Sequence, residues 1–346
     1  MNYHVRWGQT GQSQHNRTLK DSLLSSSHAY TGHTRLMLRL LFFLTYAVVT
    51  TCSPASAAET VRVFVLAGQS NMQGHGKVNS DPRANDGRGS LQWLVKNPDT
   101  SKKYGSLVDT AGDWKERSDV QIVYLERKGN LTPGYGHREG YIGPELGFGQ
   151  VTGNAFESPV LLVKVAWGGK SLGKDFRPPS AGGKVGEYYQ ELLRLTRTTL
   201  RDAKTLFPNY SDCNFELAGF GWHQGWNDRV NQSLNDEYEQ NMAHFINDIR
   251  KDLNAPNLPF VIAETGMSGW EEKHPRAVSL MKAQAAVAER DEFRGNVKFV
   301  GTKDFYRPKE LSPSGQAYHW NNNAETYYLI GEGMGQAMLQ LIDLKQ

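Results

Sequence analysis

Ser70 stands where a serine hydroxyl can act as a nucleophile, at the end of an apolar run of β type and two residues past a glycine. Val61, Val63, Phe64, Val65 and Leu66 supply the β-branched and aromatic side chains of a buried strand, and Gly68 permits a tight turn that exposes the serine at the strand's carboxyl end. Open α/β sheets bind ligands at that edge. The stretch Phe64–Gly74 reads FVLAGQSNMQG, which is not a G-x-S-x-G elbow, because Met72 takes the place of the second glycine. A nucleophilic serine also needs a base, a group that orients the base, and donors aimed at the developing oxyanion.

Candidates for each role lie further along the chain. His319 sits in AYHWNNNAET, just before the last helical pattern, whereas four of the ten histidines fall within residues 1–57. Gly168 and Gly169 follow the apolar run Pro159–Ala166 and would let the backbone approach a substrate closely. Gln224 and Asn227 offer side-chain amides in GWHQGWND, after a third apolar run. Gln69 and Asn71, which flank the serine, are expected to face substrate together with Trp167 and Trp226. Trp222 and Trp320 also neighbour the proposed site, and all four indoles would either stack on sugar faces or pack in the core. No His/Cys/Asp cluster has metal-ligand spacing, and no glycine-rich loop matches a phosphate or dinucleotide fingerprint, so neither metal nor cofactor is expected.

Four blocks recur in a fixed order: GQSNM at 68–72, KVAWGGKSL at 164–172, WHQG at 222–225, and the histidine ahead of the last helix. They resemble the SGNH (GDSL-like) hydrolases, in the form carried by the sialate O-acetylesterase and carbohydrate esterase family 6 group. The resemblance implies Ser70 as nucleophile and His319 as base. It implies an oxyanion hole from the Ser70 N–H, Gly168 or Gly169, and the Gln224 amide, with Asn227 as the alternative donor. Family members usually carry Asp three residues before the histidine, but Gln316 stands there. Either Gln316 or a backbone carbonyl orients the imidazole, or a remote carboxylate does so, with Asp304 put forward and Asp228 and Glu325 as the others. The activity implied is removal of O-acetyl groups from carbohydrates by an exported serine esterase. An impaired, carbohydrate-binding relative and a general short-chain ester hydrolase are the competing readings.

The elements that must position these residues follow from periodicity. Phe215–Trp222, Leu258–Glu264 and Val297–Gly301 read as further strands, and helical spacing covers about Gly186–Leu206, Leu234–Leu253, Pro275–Arg290 and Asn322–Leu344. Strands alternating with such helices predict one α/β domain, residues 58–346: a three-layer α/β/α sandwich with a parallel, flavodoxin-like sheet. Residues 77–138, polar with only short apolar runs, read as an insertion beside the site.

Residues 1–57 read as an N-terminal extension and secretory signal. Arg35 and Arg39 precede the apolar run Leu40–Val49, and small residues follow up to a cleavage site near Ala57 or Ala58. The run is too short to span a bilayer, so a secreted or periplasmic product without a membrane anchor is expected. The chain carries 39 Lys+Arg and 36 Asp+Glu; five and one of these precede Ala58, which leaves 34 against 35, a net of −1. Such a balance leaves no nucleic-acid footprint. Cys52 departs with the leader, so Cys213 has no partner for an internal disulfide.

Overall fold

The computed structural model describes residues 59–343, and the signal expected over residues 1–57 lies outside them. β1 (Thr60–Gly68) is buried on both faces: Val61, Val63, Val65 and Ala67 enter one apolar layer, Phe64 and Leu66 the other. That alternation is the period of a strand covered by helices above and below. A four-residue helix, α1 (Ser70–Gln73), follows at once, and β2 (Gly76–Lys77) leaves the sheet edge.

Two short helices, α2 (Leu91–Lys96) and α3 (Pro98–Tyr104), then lead into β3 (Arg117–Tyr124) and β4 (Arg127–Leu131). The stretch 77–138 is therefore not simply an insertion beside the site. β3 runs parallel to β6 (Val160–Ala166), with Val120 paired to Val160 and Tyr124 to Lys164, and β4 returns antiparallel at the sheet's edge. Val120, Gln121, Ile122 and Tyr124 are buried and Val123 packs against the opposite core layer, whereas Arg117–Asp119 at the strand's start are polar and largely exposed, a start that disguises the strand in the composition. β5 (Tyr141–Ile142) pairs with β2 as a separate ribbon.

The remaining elements alternate as expected: α4 (Pro144–Ala155), β6, α5 (Glu187–Leu206), β7 (Asn214–His223), α6 (Trp226–Arg229), α7 (Gln232–Asp236), α8 (Tyr238–Asp252), β8 (Phe260–Ala263), α9 (Pro275–Glu289), β9 (Val297–Val300) and α10 (Ala324–Asp343). The seven-stranded sheet has the order β4-β3-β6-β1-β7-β8-β9, parallel throughout except for β4. Helices α4 and α10 cover one face; α5, α8 and α9 cover the other. This is the expected α/β/α sandwich, consistent with an SGNH-like fold. From β1 the chain runs first to β3 and the edge strand β4, returns to β6 beside β1, and then winds outward on the other side through β7, β8 and β9. Later strands thus flank β1 on both sides, and it marks the switch point where such sheets open a crevice at their carboxyl edge. Among the described residues no helix is long and apolar enough to cross a membrane.

Candidate active site

Ser70 opens α1 directly beyond β1, half-buried at the carboxyl edge of the sheet. The turn depends on Gly68, whose φ is 153° and where a Cβ would lie 2.2 Å from the His223 carbonyl oxygen of β7. No other residue fits so close to the neighbouring strand. The Gln69 N–H donates to that same carbonyl, and the Met72 and Gln73 N–H groups donate back to Gln69 O. The serine is thereby fixed by backbone bonds on both sides.

Gln69 and Asn71, expected to face substrate, are instead buried, at 1% and 2% exposure. Gln69 Oε1 accepts from the N–H groups of Gly225 (3.1 Å) and Asn227 (3.3 Å), which locks the α6 turn onto the serine turn. Asn71 Nδ2 donates to Tyr318 O at 3.1 Å, and its Oδ1 accepts from Tyr327 OH at 2.7 Å. Both side chains are braces. Asn71 is what holds the serine turn against the loop carrying His319.

That loop has an unusual backbone: Trp320, Asn321 and Asn322 all adopt left-handed conformations, with φ of 51°, 55° and 57°. Such conformations cost about 1 kcal/mol or more per non-glycine residue unless side chains compensate. Here they do. The Trp320 ring is fully buried, Asn321 Nδ2 donates to Arg307 O (3.0 Å), and Asn322 Nδ2 donates to His75 O (3.0 Å). The asparagine run at 321–323 was the signal for this turn, because Asn tolerates the left-handed region.

His319 Nδ1 lies 3.1 Å from Gln316 Oε1, so a proton on Nδ1 donates to the amide oxygen and leaves Nε2 as a free base. Asp304 is not the orienting group. Its carboxylate is exposed and accepts the Trp270 indole N–H at 2.7 Å, because β9 ends in a short turn that carries it toward the β8 loop rather than toward His319. Asp228 and Glu325 are equally committed elsewhere. Asp228 accepts from the Leu172 and Gly173 N–H groups, and Glu325 accepts from Tyr104 OH and Arg307. Among the described residues no hydrogen bond joins Ser70 Oγ to the His319 ring.

A feature that spacing did not announce is a column of rings. His319 stacks on His75 at 3.6 Å between centroids, and His75 stacks on His137 at 4.0 Å, with Tyr141 set edgewise on His137. Burial pushes His319 down to about 4, with the His137 charge adding to it. His75 is pushed to about 2, by burial first and then by its two histidine neighbours. The column is therefore neutral imidazole at ordinary pH.

Around the serine the other candidates divide. A Cβ on Gly168 would lie 3.9 Å from Ser70 Cβ, so the exposed Gly168–Gly169 backbone borders the nucleophile. Gln224 is 1% exposed, and its amide nitrogen is directed inward to Asp228 Oδ2 (2.6 Å) and Lys170 O (3.0 Å). It braces the loop after β6 rather than opening to substrate. Asn227 is half-buried and donates one hydrogen to Gly169 O at 2.8 Å, leaving its second. Trp167 packs on Tyr188 and Phe176, whereas Trp226 faces Tyr318 at 5.6 Å beside the histidine. Trp222 and Trp320 are core residues. No three-group His/Cys/Asp/Glu cluster able to hold a metal ion occurs among the described residues.

The family of carbohydrate esterases described as sialic acid-specific acetylesterases matches residues 60–340, and the chain belongs to it. A probable carbohydrate esterase of Arabidopsis thaliana is 25% identical over 218 residues, which cover 61% of this chain and 72% of that protein. The solved structure of an Arabidopsis thaliana protein superposes with a TM-score of 0.54 at 18% identity, over 80% of this chain and 97% of that one. The structure of NanS superposes with a TM-score of 0.51 at 16% identity, over 82% and 98%. At those identities the two structures bear on the fold alone. Family membership makes the protein a carboxylic ester hydrolase acting on carbohydrates.

Proposed function

We propose that the protein removes O-acetyl groups from carbohydrate hydroxyls through an acetyl-serine intermediate, working as a Ser70–His319 pair oriented by Gln316. The observation that carries this reading is the Asn71 clamp, which bonds the serine turn to the Tyr318 carbonyl next to His319. His319 Nε2 takes the Ser70 proton as Oγ attacks the acetyl carbonyl. The resulting oxyanion faces the Ser70 and Gly168–Gly169 backbone N–H groups and the remaining Asn227 amide hydrogen. The imidazolium then protonates the departing sugar oxygen, and water, deprotonated by the same ring, hydrolyses the acetyl-serine to acetate. Gln316 fixes the tautomer but adds no negative charge to stabilise the imidazolium.

Ser70→Ala is expected to abolish acetate release from an acetylated saccharide while leaving the melting temperature near that of the parent. A brief incubation with p-nitrophenyl acetate, followed by peptide mass spectrometry, should find the acetyl group on the peptide containing Ser70. Retention of more than about a hundredth of the parent rate by Ser70→Ala would sink the assignment. The charge and residue pattern before Ala58 supports export, and the mature protein is expected to begin near Ala58 when its N-terminus is sequenced.

A further inference from the structure

Trp270 is 70% exposed, the most exposed of the large apolar side chains among the described residues. A solvated indole is ordinarily mobile. This one is held, because its N–H donates to Asp304 Oδ1 at 2.7 Å and Lys303 Nζ lies 4.9 Å from its ring centroid. Lys303 is in turn anchored 3.3 Å from the buried Glu264 carboxylate. The turn bearing the tryptophan is tight: Ser268 and Gly269 have φ of 77° and 59°, and a Cβ on Gly269 would come 3.2 Å from Lys303 O. Backbone strain, an indole hydrogen bond and a cation over the ring thus present a flat apolar face to water at a fixed angle.

The position is continuous with the active edge. The β8 loop leaves the sheet through Met267, whose sulfur is 3.8 Å from Asn71 Nδ2, and three extended residues reach at most about 11 Å from there to Trp270. On its far side the loop is bridged to α6 by Glu272 and Arg229 at 3.1 Å, and Arg229 lies over Trp226, the ring that faces Tyr318 beside His319. Asp304 belongs to the β9 segment whose Tyr306 and Arg307 accept from Asn321 of the histidine loop. An open cleft of about 350 Å³ beside Trp270 has charged walls from Glu264, Glu272, Lys282 and Lys303 and an apolar floor from Val278, Met281 and Phe299. A flat ring bordered by both charged and apolar groups suits a ligand with an apolar face and many hydroxyls.

We propose that Trp270, with the second carboxylate oxygen of Asp304, forms an accessory saccharide subsite, so that the substrate is an acetylated oligo- or polysaccharide rather than a free monosaccharide. This rests on the carbohydrate O-acetylesterase reading above. A neighbouring sugar residue stacks on the indole and donates a hydroxyl to Asp304 while the acetylated residue occupies the Ser70 edge. Such binding is made equally in ground and transition states, so it lowers KM and leaves kcat unchanged.

The test compares wild type, Trp270→Ala, Trp270→Phe and Asp304→Asn on three substrates: p-nitrophenyl acetate, an acetylated monosaccharide and an acetylated xylo-oligosaccharide. The expected result is a three- to tenfold rise in KM for the oligosaccharide in Trp270→Ala, with kcat and both small substrates unchanged; stacking of about this strength is typical of aromatic faces. Trp270→Phe should recover most of the loss, and Asp304→Asn should keep hydrolysis of p-nitrophenyl acetate at the parent rate. An unchanged oligosaccharide KM in Trp270→Ala, or an equal loss on all three substrates, would overturn the subsite. A parent enzyme that cleaves p-nitrophenyl acetate but neither saccharide would instead overturn the carbohydrate reading beneath it.

Discussion

At the scale of single residues, a neutral amide where a carboxylate is usual changes what the histidine can do. Gln316 accepts one hydrogen bond and sets the tautomer, while burial and the ring column hold His319 neutral down to about pH 4. A base whose pKa is depressed stays competent as pH falls until that lowered value is reached. The acid limb of kcat/KM is therefore expected near pH 4 rather than near 6.5, measured on p-nitrophenyl acetate. His75→Ala opens one face of the His319 ring to water, so its limb should move up toward 6.5 and kcat should fall as the ring loses its platform. Gln316→Asp should move the limb the same way by stabilising the imidazolium. A parent limb already at 6.5 would contradict the role given to the column.

At the scale of elements, the turns that meet at the carboxyl edge of β1 are joined by backbone bonds, as from Gln69 to His223, and by buried side chains such as those of Gln69, Asn71 and Gln224. Gln224→Ala and Asn227→Ala separate bracing from catalysis. Asn227→Ala is expected to lower kcat by about 10² to 10³ with little change in melting temperature, as loss of an oxyanion donor does. Gln224→Ala removes a donor from Asp228, a fully buried carboxyl that desolvation already raises to about 6, so it should act chiefly by lowering the melting temperature. The opposite pattern would exchange their roles. Asn71→Ala should do both: a buried tyrosine hydroxyl loses its acceptor, costing about 1 to 3 kcal/mol in urea denaturation, and kcat falls because the two catalytic turns come unclamped.

At the scale of the whole molecule, the sheet carries a charge in its interior. Lys164 of β6 is completely buried, with Nζ 2.7 Å from Glu145 Oε2 and from the Gln73 and Tyr135 carbonyl oxygens, so it ties α4 and the end of α1 to the sheet. Desolvation brings its pKa down to about 8 against the pull of Glu145. Removing one partner of such a pair strands the other, so Lys164→Met is expected to cost about 3 to 5 kcal/mol in chemical denaturation. Lys164→Met combined with Glu145→Gln should recover a good part of it. A single variant as stable as the parent would show that the pair holds nothing together.

Much of this architecture was legible from the chain. The period-2 burial of β1, the apolar run of β6 and the helical stripes of α5, α8 and α9 are local patterns that water enforces on any fold they enter, so their class and order followed from sequence alone. So did Ser70 and His319 as candidates, because a glycine turn after a buried strand and a loop ahead of a closing helix are marked by residue type. Tertiary structure alone decided the rest. Strand β4 was hidden in a polar stretch because an edge strand needs little apolar cover, and β3 beside it was masked by its polar start at Arg117–Asp119. The His319–His75–His137 column joins rings from three segments, and nothing in the spacing of 75, 137 and 319 encodes their contact. Asp304 and Gln316 looked equally able to orient the base, and their fates diverged through the path of one turn after β9, which sends the carboxylate to Trp270 and leaves the amide under the imidazole. Side-chain hydrogen bonds between distant segments depend on directions set by packing, which is why residue type could nominate these groups and only the folded chain could choose among them.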